Sequence, residues 1–337
     1  MKTGGTQMQC HWGALLLSAL TLSSCKKDLE INPKGYPQFP EPVYQYEGGA
    51  PNEKIAALGA KLFFDPILSL DSSVSCVSCH APEHAFAIHN EALSQGVNGA
   101  VGIRNSPSIA NMIYYPYFGW DGGILNLEIQ PVTPITDTLE MHSSFPLVRG
   151  RLSQHSMYKD EFAAAFNADS ITDKQILVAL TQYVAKIISN RSKYDLYIQG
   201  SIDLNEEEQR GKVLFEENCS SCHGGILFSN FGFYKNGLSG LTQKDYGRYR
   251  ITLDPSDKGR FRVPSLRNVA LTYPYLHDGS VKSLDSVLQQ YTNPPFANDL
   301  PGGAIPLSPK QQKEIIAFLK TLSDFELVND RELLPDN

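Results

Sequence analysis

Apolar residues recur every three to four positions in several stretches of this chain. Nowhere do they alternate with polar ones for the length of a strand, so the pattern predicts helices joined by long loops. Thr172-Asp173-Lys174-Gln175 has the form of a capping box, and behind it Ile176, Leu177, Leu180, Tyr183, Val184 and Ile187 fall on one helical face. Asn205 is placed to cap a helix that starts at Glu206. Ser308-Pro309-Lys310-Gln311 joins a capping box to a proline at the first helical position, and Ile315, Ile316, Leu319 and Leu322 supply the face behind it. Gly/Pro-rich segments separate these helices, and the expected fold class is all-α with long loops.

One apolar run departs from the helical period. Gly13 to Leu22 follows Lys2, is too short to span a bilayer stably, and reads as the core of an export signal covering residues 1–24. It ends in Leu22-Ser23-Ser24-Cys25, which resembles a bacterial lipobox with Cys25 as the acylated residue. Plain signal cleavage without lipid is the alternative, and initiation at Met8 would shorten the leader. Residues 25–51, rich in Pro, Gly and Tyr and without periodicity, read as a tether. The expected location is the periplasm, at the membrane through Cys25. A chain of 337 residues accommodates two domains, and a net charge of -7 gives no reason to expect a nucleic-acid partner.

Four of the six cysteines fall in two pentapeptides, Cys76-Val77-Ser78-Cys79-His80 and Cys219-Ser220-Ser221-Cys222-His223. Cysteines three apart on a helical turn can both reach the vinyl edge of one porphyrin, and the adjoining His can face its iron. A CxxC alone would equally suit a zinc half-site, a redox pair or a disulfide. The histidine directly behind each pair, and the repetition of the whole motif, point to two covalent haem c groups with His80 and His223 as proximal ligands.

The repetition extends beyond these motifs. Gly59-Ala60-Lys61-Leu62-Phe63 corresponds to Gly211-Lys212-Val213-Leu214-Phe215, and Pro107-Ser108-Ile109-Ala110-Asn111 to Pro264-Ser265-Leu266-Arg267-Asn268. An aromatic residue and Asp-Gly follow each, as Trp120-Asp121-Gly122 and His277-Asp278-Gly279. Three blocks in the same order imply an internal duplication, divided as a haem domain at 52–200 and another at 201–337.

With these motifs in this order, the chain from about residue 52 onward resembles the bacterial di-haem cytochrome c peroxidases, including their MauG-like branch. The resemblance implies a peroxidatic N-terminal haem and an electron-supplying C-terminal haem, with hydrogen peroxide as substrate, a small c-type cytochrome as donor, and a homodimer as a possible assembly. It places Gln130 and Glu140 in the distal pocket, the latter as acid/base, because cleaving peroxide requires a proton to move between its two oxygens. Trp120 falls at the inter-haem tryptophan, and His277 near the second haem's edge, where the resemblance implies that it assists electron entry or bonds a propionate, a hydrogen-bonding loop histidine being the alternative. Asn105, Thr272 and Pro274 match an inter-domain calcium site of one side-chain amide and two backbone carbonyls, a hard-oxygen set suited to that ion.

Two positions depart from the ordinary peroxidases. Where a switchable histidine blocks the first iron, this chain has Val97, which cannot ligate, so the resemblance implies an open iron face unless His84, His89 or His142 substitutes. No methionine follows Met157, and the sixth-ligand position of the second haem falls on Tyr291, as in MauG-like enzymes. A phenolate there favours ferric iron, whereas methionine raises the potential. A MauG-like oxidase acting on a protein or small molecule, and a non-catalytic di-haem electron carrier, are therefore the rival readings.

Overall fold

A computed structural model describes residues 39–46, 50–237 and 245–335. Cys25, the apolar leader and most of the proposed tether lie outside the described residues. The helices that carry the architecture are α1 (Glu53–Phe64), α2 (Phe145–Gln154), α3 (Ser156–Phe166), α4 (Asp173–Lys186), α5 (Glu206–Asn218), α6 (Leu284–Thr292) and α7 (Pro309–Lys320). Phe233–Tyr234 and Phe261–Arg262 form one short antiparallel ribbon, and no described helix is long and apolar enough to cross a membrane.

The three expected caps form. The Thr172, Asn205 and Ser308 side chains each accept from the backbone N–H three residues on, and the Gln or Glu there reaches back to complete the box. Helix α7 buries Ile315, Ile316 and Leu319, with Leu322 just beyond its end, as its pattern predicts. Helix α4 buries more than one stripe: Val178, Ala179, Thr181, Gln182 and Ala185 are covered as well, and Leu177 is only half-buried. The reason is position, since α1 packs on one side of α4 while Leu180 and Val184 wall a cavity on another.

The duplication is visible in packing. A Cβ on Gly59 would lie 1.9 Å from the Ala179 carbonyl oxygen, and one on Gly211 would lie 1.8 Å from that of Glu314. Glycine therefore lets α1 cross α4, and α5 cross α7, at backbone contact distance. Asn111 and Asn268, the last residues of the repeated Pro-Ser blocks, both adopt left-handed backbone, at φ 64° and 61°. Asn111 exchanges hydrogen bonds with the Ser189 backbone, while Asn268 bonds Ser189 Oγ and the Asp324 N–H. Ser189 thus ties both halves together.

Two apolar cores result, one around α1 and α4 and one around α5 and α7. Leu327 and Leu333 from the C-terminal tail belong to the first, and Tyr183 donates to the Leu333 carbonyl at 2.9 Å. Of the segment read as a tether, residues 39–46 lie on the body: Val43 and Tyr44 N–H share the Ile113 carbonyl, and Phe39 stacks on Tyr114 and faces the Arg267 guanidinium.

Candidate functional site: two cavities and their partition

Each pentapeptide is wound into a tight helical turn that aligns its donors. His80 N–H bonds the Cys76 carbonyl at 3.0 Å, and His223 N–H bonds that of Cys219 at 2.8 Å, so each histidine sits one turn from its first cysteine. His80 Nδ1 is 3.0 Å from the Phe86 carbonyl oxygen and His223 Nδ1 is 3.2 Å from that of Phe228. An oxygen acceptor fixes the tautomer: Nδ1 carries the proton and Nε2 keeps its lone pair. Phe86 and Phe228 both take positive φ, 58° and 51°, an uncommon conformation for a bulky residue that turns each carbonyl to its histidine.

Burial lowers both imidazole pKa values, that of His223 to about 4, so both rings are neutral and able to ligate a metal. Burial pushes the Cys76 and Cys219 thiols up to about 12, which disfavours thiolate chemistry. The four described cysteines form no disulfide.

The first cavity, about 100 Å³, contains His80, Cys76 and Cys79 in its wall. Phe63, Ile109, Met112, Ile135, Leu180 and Val184 make it apolar, and Gln130 and Glu140 join them from the loops on either side of the short helix Val132–Thr136. Glu140 is exposed at the cavity mouth, where partial desolvation by the apolar lining, with Asp137 second, raises its carboxyl to about 7. Val97 is buried beside it, its N–H bonding the Glu140 carbonyl at 2.8 Å. His84, His89 and His142 do not line this cavity; His84 and His89 stack on each other 3.4 Å apart and His142 is exposed.

The second cavity, about 280 Å³, gathers His223, Cys219, Cys222, Tyr291, His277 and Trp120. Tyr291 reaches it from α6, with both motif cysteines close enough to add to the burial that raises its phenol. His277 is stacked on Phe261 at 3.8 Å, and its buried Nδ1 has no hydrogen-bond partner. Asn105, Thr272 and Pro274 all line this cavity. Among the described residues no group of three His, Cys, Asp or Glu converges as a metal site. The Asn105 carbonyl is engaged by Trp120 Nε1 at 2.8 Å and its amide donates to Ala92, which leaves the side-chain oxygen for a cation.

One run of backbone separates the cavities. Arg104, Ser106, Ile109 and Met112 face the first, whereas Asn105, Pro107, Ser108 and Ala110 face the second. Reciprocal bonds flank this partition: Asn105 N–H to the His277 carbonyl at 2.7 Å, and Arg262 N–H to the Trp120 carbonyl at 2.8 Å. Arg104 crosses the domain boundary, pairing with both oxygens of Asp245 and with Asp121. In sequence, Arg104-Asn105-Ser106-Pro107 marks only a repeat and a calcium position, and the partition is not evident from it. The motif is a usable signal, but its alternation between two cavities needs both domains in place, and Asp245 carries no local signal.

The residues fit haem c. Paired thiols, a neutral imidazole with a fixed tautomer and an apolar slot recur in both cavities, and both empty volumes adjoin the motif rather than lying elsewhere in the core.

The profile of the di-haem cytochrome c peroxidase family matches residues 53–203, and that of cytochrome c matches residues 208–323. The chain is 33% identical to a cytochrome c551 peroxidase of Pseudomonas aeruginosa over 96% of its own length and 94% of that protein's. It is 30% identical to the methylamine utilization protein MauG of Methylorubrum extorquens, over 91% of this chain and 85% of that one. Its fold superposes on the crystal structure of a MauG-like protein associated with microbial copper homeostasis with a TM-score of 0.82, at 30% identity, covering 88% of this chain and 97% of that one.

Proposed function

From its membership of the di-haem cytochrome c peroxidase family, to which the chain belongs, we propose that it reduces hydrogen peroxide to two waters with two protons and two electrons, the electrons coming from a small c-type cytochrome. The observation that carries this reading is the convergence of Glu140, Gln130 and His80 on one apolar cavity, with Glu140 at its solvent-exposed mouth and its carboxyl raised. Haem bound in that cavity supplies the iron at which the oxygen–oxygen bond is reduced.

The protein residues do the rest. His80 would hold the metal through Nε2, its ring oriented by the Phe86 carbonyl. Glu140, whose pKa lies near neutrality, takes the proton from the nearer peroxide oxygen and returns it to the departing one; its two protonation states are close in energy, so neither transfer is strongly uphill. Gln130 orients peroxide with its amide, and the apolar lining limits competing water. Trp120, anchored by Asn105 beside the second cavity, carries electrons through the partition. Asn105, Thr272 and Pro274 would brace this junction around calcium, and a lipid on Cys25 would hold the enzyme at the periplasmic membrane face, where a cytochrome docks near the second haem.

Tyr291, lining the second cavity with Cys219 and Cys222, is behind a second reading, a MauG-like oxidase whose second haem takes a tyrosine ligand that iron would have to deprotonate against the burial that raises its phenol. Adding peroxide to the purified di-ferric protein separates the two. Rapid oxidation of a reduced cytochrome without pre-reduction is expected of the peroxidase. A long-lived oxidised state that ignores the donor would favour the oxidase, and no spectral reaction would reject both.

A further inference from the structure

We infer that Arg262 sets the electrical polarity between the two cavities by pairing its guanidinium with a carboxylate of the prosthetic group in the second one. This rests on haem c occupying that cavity. Arg262 lines the cavity and is only 6% exposed. Its Nε donates to the Gly119 carbonyl at 3.2 Å and Nη1 to that of Val263 at 3.4 Å, while the Tyr115 and Phe231 rings flank the guanidinium at 5.3 and 5.8 Å. Among the described residues no carboxylate pairs with it. A buried charge without a counter-ion is costly enough that folded proteins rarely keep one.

The neighbouring cations are accounted for. Lys235 meets Asp299 at 2.9 Å, Arg267 is held by both oxygens of Asp195, and Arg104 in the first cavity is neutralised by Asp121 and Asp245. Arg262 alone of the Lys and Arg lining either cavity lacks such a partner among the described residues. The unpartnered Nδ1 of His277, on the ring stacked against Phe261, adds a second group on the same wall seeking a hydrogen bond. Haem c brings two carboxylates that take no part in its thioether or iron bonds, which is the chemistry this wall lacks.

A guanidinium beside the second haem stabilises its reduced form. It makes this haem the better electron store, whereas at the first cavity Arg104 faces two carboxylates, Asp121 and Asp245, which leave no net positive charge there.

The test uses the full di-haem protein with Arg262→Gln and Arg262→Lys. Haem content is read by pyridine haemochrome, and each midpoint by potentiometry monitored through the separate ferric EPR signals. Arg262→Gln should lower the second midpoint by at least about 59 mV, the value of a tenfold change in oxidised-to-reduced ratio for one electron. The first midpoint should move by less than a third as much, and Arg262→Lys should retain most of the wild-type value. An unchanged second midpoint in Arg262→Gln with both haems attached overturns the assignment. If that variant loses its haem, Arg262→Lys decides: its propionate bending band in resonance Raman should shift from wild type, and an identical band overturns it. A wild-type midpoint that follows added inorganic phosphate would mean that a solution anion occupies the site, and would equally overturn the assignment. Absence of a second haem c from the wild-type protein would instead reject the haem reading, and peroxide turnover, assayed separately, leaves the charge test intact.

Discussion

Around His80 the cavity wall carries a carboxyl near neutrality and one guanidinium that two aspartates neutralise. Around His223 it carries a phenol, an unpartnered imidazole nitrogen and a guanidinium with no carboxylate among the described residues. The scaffolds beneath share one logic: a glycine-mediated helix crossing, a left-handed asparagine, and a histidine oriented by the carbonyl of a positive-φ phenylalanine. Duplication thus preserved what holds a haem, and divergence fell on what faces it. Under the proposed function the first cavity would move a proton and the second would hold an electron.

Removing the proton-handling group should break this contrast most severely. Glu140→Gln is expected to lower kcat/KM for peroxide by about 10²–10⁴-fold, the usual scale for a general acid–base residue, with both haems retained. A loss under tenfold would return Glu140 to the status of a loop carboxylate.

The shared scaffold is challenged by Gly59→Ala and Gly211→Ala, each of which drives a methyl against a carbonyl oxygen of the crossing helix. Each should cost about 1–3 kcal/mol as overpacking, read by chemical or thermal unfolding of the haem-loaded protein. A penalty confined to one half would mean that the two crossings are not equivalent.

The pH profile sharpens the comparison next. Glu140 must be ionised to accept a proton, so kcat/KM should fall about tenfold per pH unit below its pKa and level off above it. Because its carboxyl lies at about 7 before porphyrin displaces more water, the inflection is expected at or above that value. A flat profile from pH 5 to 8 would remove Glu140 from the rate-limiting proton transfer.

The smallest effects concern the caps. Thr172→Ala and Ser308→Ala each delete a side-chain acceptor at the start of a cavity-lining helix and should destabilise by about 1 kcal/mol apiece. Equal losses in urea titrations would show that α4 and α7 contribute alike, and a silent Ser308→Ala would show that Pro309 alone starts α7.

Much of the fold is legible in the sequence because its signals are local. Capping boxes, the proline at N1 of α7 and the apolar face of α7 each depend on residues within a few positions, and all form as the sequence implies. The buried surface of α4 is wider than its periodic stripe, because a helix sandwiched between a neighbour and a cavity buries residues that periodicity assigns to solvent. Gln130 and Glu140 are reached through motif order, and the structure places both in one wall. The Arg104–Asp245 pair and the C-terminal tail returning to Tyr183 span 141 and 150 positions, and no local pattern encodes contacts across that distance.

The amino-acid sequence by itself determined that two CxxCH turns exist, that they belong to repeated helical units, and which helices would cap and bury an apolar face, because each depends on backbone preferences acting over one or two turns. Only the tertiary structure decided that the 104–112 segment divides the two cavities, that Trp120 lines the second, that Glu140 meets the first at its mouth with its carboxyl raised, and that Arg262 lies buried without a carboxylate among the described residues. Those properties are set by how far water is excluded and which distant charges meet, and chain folding alone fixes both.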